Sequence, residues 1–165
     1  MRILIATGIY PPESGGPATY AKLLNDELPR RGIDVEILAF RDVRHLPSGI
    51  RHIAYAWKVF MRGRGADIVY AQDTLSVGLP ARIANIILRK PLMVRVPGDH
   101  TWEQGAQRFG ISDSLDEFPV YSSDWPLMLK IMRRLQFFVV QGASALIVPS
   151  DYVGGIVRTW GADSS

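Results

Sequence analysis

Beyond Val94-Arg95-Val96 and the breakers Pro97-Gly98, the segment Asp99-His100-Thr101-Trp102-Glu103 groups two acids, an imidazole and an aromatic ring. Carbohydrate sites combine such groups. Carboxylates accept hydrogen bonds from hydroxyls, and an indole covers the apolar face of a sugar ring. His100, with an unperturbed pKa of about 6.5, can carry a proton near neutrality. A turn with Trp102 packed inward and His100 solvated explains the same residues without chemistry.

Three further segments carry polar groups where an apolar run ends. Gly15-Gly16 stands just before a helix that Pro17 can start, so backbone amides and the helix N-terminus are open to a phosphate. The spacing is neither the dinucleotide fingerprint nor a Walker loop, and the local pattern alone reads first as a simple connecting turn. Gln72-Asp73-Thr74 follows another apolar run; Asp73 or Thr74 either caps the next helix or contacts a sugar hydroxyl. In Ser150-Asp151-Tyr152, Ser150 reads as a helix cap.

These segments need a frame. Short apolar runs at Arg2–Thr7, Ile33–Phe40, Asp67–Ala71, Pro91–Val96 and Ala145–Val148 read as strands. Helical stretches stand between them: from Pro17, with Leu23, Leu24 and Leu28 on one face; Ile53–Phe60; Leu75–Leu88; Leu127–Gln141; and Pro149–Trp160 after the last strand. Arg30, Arg31 and Gly32 close the first helix. Pro97–Ser123 reads as one long irregular loop. Alternating strands and helices predict an α/β fold, a Rossmann-like doubly wound parallel sheet with helices on both faces, in a single domain over residues 1–165. The strands are continuously apolar, as in sheets covered on both sides. Ligands of such sheets bind beyond the carboxyl ends of the strands, where the candidate residues fall.

Composition removes several classes. With 47% hydrophobic and 21% charged residues among 165, the chain is globular, and without cysteine it has no disulfide or thiolate chemistry. No His/Asp/Glu grouping has metal-ligand spacing, so no metal and no cofactor are expected. A net charge of +3, without interleaved aromatic and basic residues, gives no case for nucleic acid. Neither a secretory leader nor a spanning run is present, which predicts a cytoplasmic protein or one peripheral at the inner face of a membrane. The bulky basic stretch holding Tyr55, Trp57, Lys58, Phe60, Met61, Arg62 and Arg64 reads either as a core helix or as one lying on an acidic membrane.

In order along the chain, Tyr10-Pro11-Pro12-Glu13-Ser14-Gly15-Gly16-Pro17-Ala18-Thr19-Tyr20, Arg31-Gly32-Ile33-Asp34-Val35, Ala66-Asp67-Ile68-Val69-Tyr70-Ala71-Gln72 and Ala145-Leu146-Ile147-Val148-Pro149-Ser150-Asp151-Tyr152 resemble the N-terminal half of GT-B glycosyltransferases of family 4. The resemblance implies the acceptor-side domain of a retaining, metal-independent enzyme. Such an enzyme moves a sugar from a nucleotide sugar, such as a UDP- or GDP-sugar, to a glycan, glycolipid or lipid-linked acceptor in polysaccharide or glycolipid synthesis. It assigns a donor-diphosphate contact to Gly15 and Gly16 and acceptor contacts to Tyr10, Gln72, Asp73, Trp102 and Glu103. The family's usual histidine position is taken here by Pro97-Gly98, which makes Asp99, and after it His100, the candidate catalytic residues. The resemblance places the donor-binding domain beyond residue 165, so the chain alone is expected to be inactive. The alternative is a non-catalytic nucleotide- or ligand-binding α/β domain, and a membrane-surface adaptor is a third reading.

Overall fold

A computed structural model describes residues 1–161; residues 162–165, where the resemblance sets the crossing to a second domain, lie outside the described part. Five parallel strands, β1 (Arg2–Thr7), β2 (Asp34–Ala39), β3 (Ile68–Ala71), β4 (Leu92–Arg95) and β5 (Ala145–Ile147), form one sheet in the order β2-β1-β3-β4-β5. Six α-helices accompany them: α1 (Gly16–Glu27), α2 (Ser48–Gly63), α3 (Gly78–Leu88), α4 (His100–Phe109), α5 (Leu127–Gln141) and α6 (Asp151–Arg158). This is the expected Rossmann-like α/β sheet with helices on both faces.

Alternation along each strand divides the core. Leu4 and Ala6 of β1 join Leu38, Val69, Ala71, Leu92 and Val94 on one face, where Tyr55 and Val59 of α2, Ala81 and Ala84 of α3, and Val139 and Val140 of α5 cover them. Ile3 and Ile5 join Tyr70 on the other face, under Tyr20 and Leu24 of α1 and Leu28 just beyond it. Leu23, expected on the same face as Leu24 and Leu28, is exposed, because it lies one residue off their i,i+4 row. The buried Tyr55 hydroxyl donates to the Leu38 carbonyl at 2.7 Å, which pins α2 to β2.

The stretch Pro97–Ser123 corrects the expectation of one irregular loop, since its first part is α4. Asp99 caps that helix, and Gly110 ends it in the left-handed conformation with φ 66°. The helix is mostly polar. Trp102 and Phe109 are its apolar contacts, packed with Ile111 and Met132 around Phe118, Trp125 and Leu129, so its apolar periodicity is thin. Smaller shifts occur elsewhere. The second helix begins at Ser48, ahead of the expected Ile53, and the third at Gly78, three residues after Leu75. Ser150 does cap α6, accepting from the Val153 amide at 3.3 Å.

Gly78 opens α3 against the chain that leaves β3. A Cβ there would lie 2.2 Å from the Asp73 carbonyl oxygen and 3.2 Å from Val139 Cγ1. Gly78→Ala is therefore expected to cost about 3 kcal/mol in urea unfolding, by overpacking against backbone. Gly155→Ala on α6 meets nothing within 4 Å. It is expected to gain about 0.5–1 kcal/mol from helix propensity.

Candidate functional site

The strand order reverses between β1 and β3, and the crevice at such a reversal is the usual ligand position in open α/β sheets. A cleft of about 470 Å³ opens there. Gly8 and Ile9 after β1, Gln72 and Asp73 after β3, and Pro97 after β4 line it, with Ser76 and Pro17 at the starts of the next helices. Its remaining wall comes from the second crossover: Phe40, Arg44, Arg51 and His52. Of the four polar segments read from the sequence, one, Gln72-Asp73-Thr74, supplies lining residues; the glycine segment and the segment Asp99–Glu103 reach the cleft only through their neighbours Pro17 and Pro97. Ser150 is not among the described lining residues.

Gln72 is 2% exposed, and its Oε1 lies 3.0 Å from the Thr7 hydroxyl. Thr7 also donates to the Ile9 carbonyl at 2.7 Å. A hydroxyl has one proton to give, so the amide is better satisfied turned over, with its nitrogen donating to Thr7. Either way one polar end of Gln72 has no partner among the described residues. A buried polar group left open costs free energy and is a ready contact for a ligand.

Asp73 sits beside it. Its Oδ1 accepts from the Val77 amide at 3.0 Å, so Asp73 serves the start of α3 although the cap position itself is Val77. Burial raises its carboxyl pKa above the ordinary value; the Val77, Gly78 and Ser76 amides and nearby His100 oppose that shift without cancelling it.

The glycine loop is held from outside. Arg41 donates to the Tyr10 and Pro11 carbonyls at 3.2 and 2.6 Å, and Arg44 donates to the Gly8 carbonyl at 3.1 Å while pairing with Glu13. That pairing lowers the Glu13 carboxyl pKa. Gly15, at φ 146°, leads into α1 with no side-chain cap on the helix's first amides. Gly15, Gly16 and Tyr10 border the cleft through Ile9 and Pro17 and do not line it themselves.

Asp99, His100, Trp102 and Glu103 are not among the residues that line the cleft. Asp99 Oδ1 accepts from the Thr101 and Trp102 amides at 3.0 and 3.1 Å, and its Oδ2 lies 2.8 Å from Arg133 Nη1. Both carboxylate oxygens are engaged. Arg133 on α5 is 1% exposed, with Phe118, Trp160, Trp125 and Phe137 rings 5.2, 5.3, 5.6 and 5.6 Å from its guanidinium carbon. Burial lowers its pKa and Asp99 works against that shift. Gln136 accepts from the Thr101 hydroxyl at 2.7 Å and completes the buried group. Trp102 donates to the Asp113 carbonyl at 2.9 Å, and His100 lies 3.8 Å from Glu103.

Proteins of known structure share the fold. A Listeria monocytogenes protein assigned as a UDP-N-acetylglucosamine 2-epimerase superposes with a TM-score of 0.64 at 13% identity, over 98% of this chain and 43% of that one. The UDP-GlcNAc 2-epimerase of Methanocaldococcus jannaschii superposes with a TM-score of 0.61 at 15% identity, over 99% of this chain and 43% of that one. The chain thus spans less than half the length of either. No protein-family model matches it, and the search of curated proteins finds no match. Among the described residues no group of three or more His, Asp or Glu side chains is placed to hold a metal ion.

Sequence reasoning missed Arg44, Arg51, His52 and Arg133. The first three reach the cleft from a crossover whose strand lies at the sheet's edge. Arg133 is indistinguishable in sequence from its neighbour Arg134, which is exposed.

Two stability outcomes are expected. Arg133→Ala leaves Asp99 buried and uncompensated, and is expected to cost about 3–5 kcal/mol. The pair Asp99→Asn with Arg133→Met, which keeps a cap acceptor and removes both charges, is expected to recover about 2 kcal/mol of that in urea melts. For Asp73 the folded-state pKa is raised, so ionising it opposes folding: stability falls as pH rises from the unfolded-state value through the folded one. Asp73→Asn is therefore expected to raise the melting temperature at neutral pH, and to show no gain below the unfolded-state carboxylate range.

Proposed function

We propose that this chain is the acceptor-side domain of a retaining glycosyltransferase that moves a sugar from a UDP- or GDP-sugar to a glycan, glycolipid or lipid-linked acceptor. The carrying observation is the pairing of Gln72, with its open polar end, and Asp73 at the topological reversal. Together they offer two acceptors for sugar hydroxyls beside the wall of Arg44, Arg51 and His52. The sequence resemblance to family 4 supports the same reading, and the structural neighbours named for work on UDP-GlcNAc support its nucleotide-sugar part alone.

In this reading Asp73 accepts the acceptor hydroxyl's hydrogen bond. Its burial makes it a stronger base than an exposed aspartate. His100 stands close enough to act on it electrostatically. Asp99 holds the first turn of α4, and hence His100, in place; it is a positioning residue. The open first turn of α1 at Gly15-Gly16 offers amides and partial positive charge to the donor diphosphate, where leaving-group charge develops. Trp102, Glu103 and Tyr10 belong to the acceptor side through the segments that carry them.

The two epimerase structures favour one second reading, a nucleotide-sugar epimerase, which would turn over its nucleotide sugar with no acceptor present. A non-catalytic ligand-binding domain is the third outcome. The complete enzyme that carries this chain is assayed with UDP- and GDP-sugars, with and without acceptor, and the product's anomeric configuration is read by NMR. Transfer with retention is expected. Asp73→Asn is expected to lower kcat about 10²–10⁴-fold, and Gln72→Leu to raise the acceptor KM about tenfold. A full rate in Asp73→Asn would remove Asp73 from the mechanism. Acceptor-independent conversion would establish the epimerase reading, and no turnover of any nucleotide sugar the binding one.

A further inference from the structure

Helices α2, α3 and α5 share one face of the sheet, and none of them contains an aspartate or glutamate. They carry Arg51, Lys58 and Arg62 on α2, Arg82 on α3, and Lys130 and Arg134 on α5, besides the buried Arg133. Helix α1, on the opposite face, carries Asp26 and Glu27. The same three helices also hold eleven of the sixteen large apolar side chains exposed among the described residues. Ile53 and Trp57 on α2, Ile86 and Ile87 on α3, and Leu127 and Ile131 on α5 are the core of that set, with Ile53 at 73%, Ile87 at 71% and Leu127 at 72% exposure. Arg82 of α3 lies 5.0 Å over the Phe138 ring of α5, which joins two of the helices at the surface.

Arg51 turns to the cleft and Arg62 pairs with Glu36 of β2 at 3.5 Å, so Lys58, Arg82, Lys130 and Arg134 are the cations set among these apolar side chains. With no carboxylate on the three helices, such a surface repels other cations and stays open to anions. We infer that this face docks on an anionic lipid bilayer. Ile, Leu and Trp side chains enter the headgroup boundary, and the arginines and lysines reach lipid phosphates with their stems along the apolar surface. No helix among the described residues is long and apolar enough to cross a membrane, so the contact is peripheral. The inference does not rest on the sugar-transfer reading: a bilayer contact needs only this face.

The full chain is tested by co-sedimentation with vesicles of 30% phosphatidylglycerol in phosphatidylcholine, against pure phosphatidylcholine, at about 50 mM and 500 mM salt, a range over which screening of surface charge changes severalfold. Expected are binding to the anionic vesicles, a loss of tenfold or more at high salt, and a blue shift of indole emission that Trp57→Phe removes. The double variant Ile53→Glu, Ile87→Glu changes exposed positions, so its fold is checked by circular dichroism and its partition is expected to fall at least tenfold. Leu23→Glu on α1 is expected to bind as the parent does. No binding at low salt overturns the inference. So does equal binding to both vesicles, undiminished binding of the double variant, or concentration-dependent self-association that the double variant abolishes, which would make the occupant a second copy of this chain.

Discussion

A guanidinium sealed inside the protein fixes the segment that follows β4 at the edge of the cleft. Arg133 has given up its hydration, and four aromatic rings and one carboxylate replace it. Such a charge is tolerated only when its partner stays put. Asp99 is that partner, and the same carboxylate takes the first amides of α4. One ion pair therefore joins α4 to α5, and through Phe118, Trp125 and Trp160 it gathers the segment after α4 and the turn after α6 around them. The ion pair also places Pro97 at the rim of the cleft, since Pro97 stands two residues from the cap.

The cleft itself arises from a topological constraint. Parallel strands send all their carboxyl ends to one edge of the sheet, and the reversal between β1 and β3 leaves no helix directly over that point. Polar groups collect there without full satisfaction. Gln72 keeps one end open, and Asp73 ionises only against the cost of its burial. Those are local losses of stability in a fold whose β1 is otherwise sealed from Leu4 to Thr7. They are also the features a ligand would satisfy. That coincidence, more than the presence of any one residue type, makes the place the candidate site.

The legible part of this molecule is the part decided by local burial. The strands announce themselves because both sheet faces are covered, so runs such as Ile3-Leu4-Ile5-Ala6 need no polar side. Gln72 and Asp73 are readable for the same reason, as polar residues standing where such a run stops. Helix α4 is not, because its apolar contacts are Trp102 and Phe109 alone, and Gly105 and Gly110 read as loop residues. Its cap and its terminal Gly110 are the signals present. The environment of Arg133 is out of reach altogether: its partners, Asp99, Phe118, Trp125, Phe137 and Trp160, converge from segments whose relative placement is a tertiary fact. Arg51 and His52 fall between these cases, in a helix whose start at Ser48 lies ahead of the apolar pattern that reveals it.

Helix α2 connects the two surfaces of interest. Its first turns bring Arg51 and His52 to the cleft, while Ile53 and Trp57, two and five residues further on from Arg51 and His52 respectively, face outward. At 1.5 Å per residue, those positions lie within about 8 Å along the axis. Tyr55 and Val59 of the same helix are fully buried against the sheet, so α2 cannot roll to hide its outer side chains without emptying the core beneath. A surface on the outer face and a ligand in the cleft are thus rigidly referred to one another. Whatever holds the outer face fixes the direction from which the cleft is approached. An acceptor with an apolar tail in that surface would present its polar head at the cleft mouth, whereas a freely diffusing glycan would gain nothing from the arrangement.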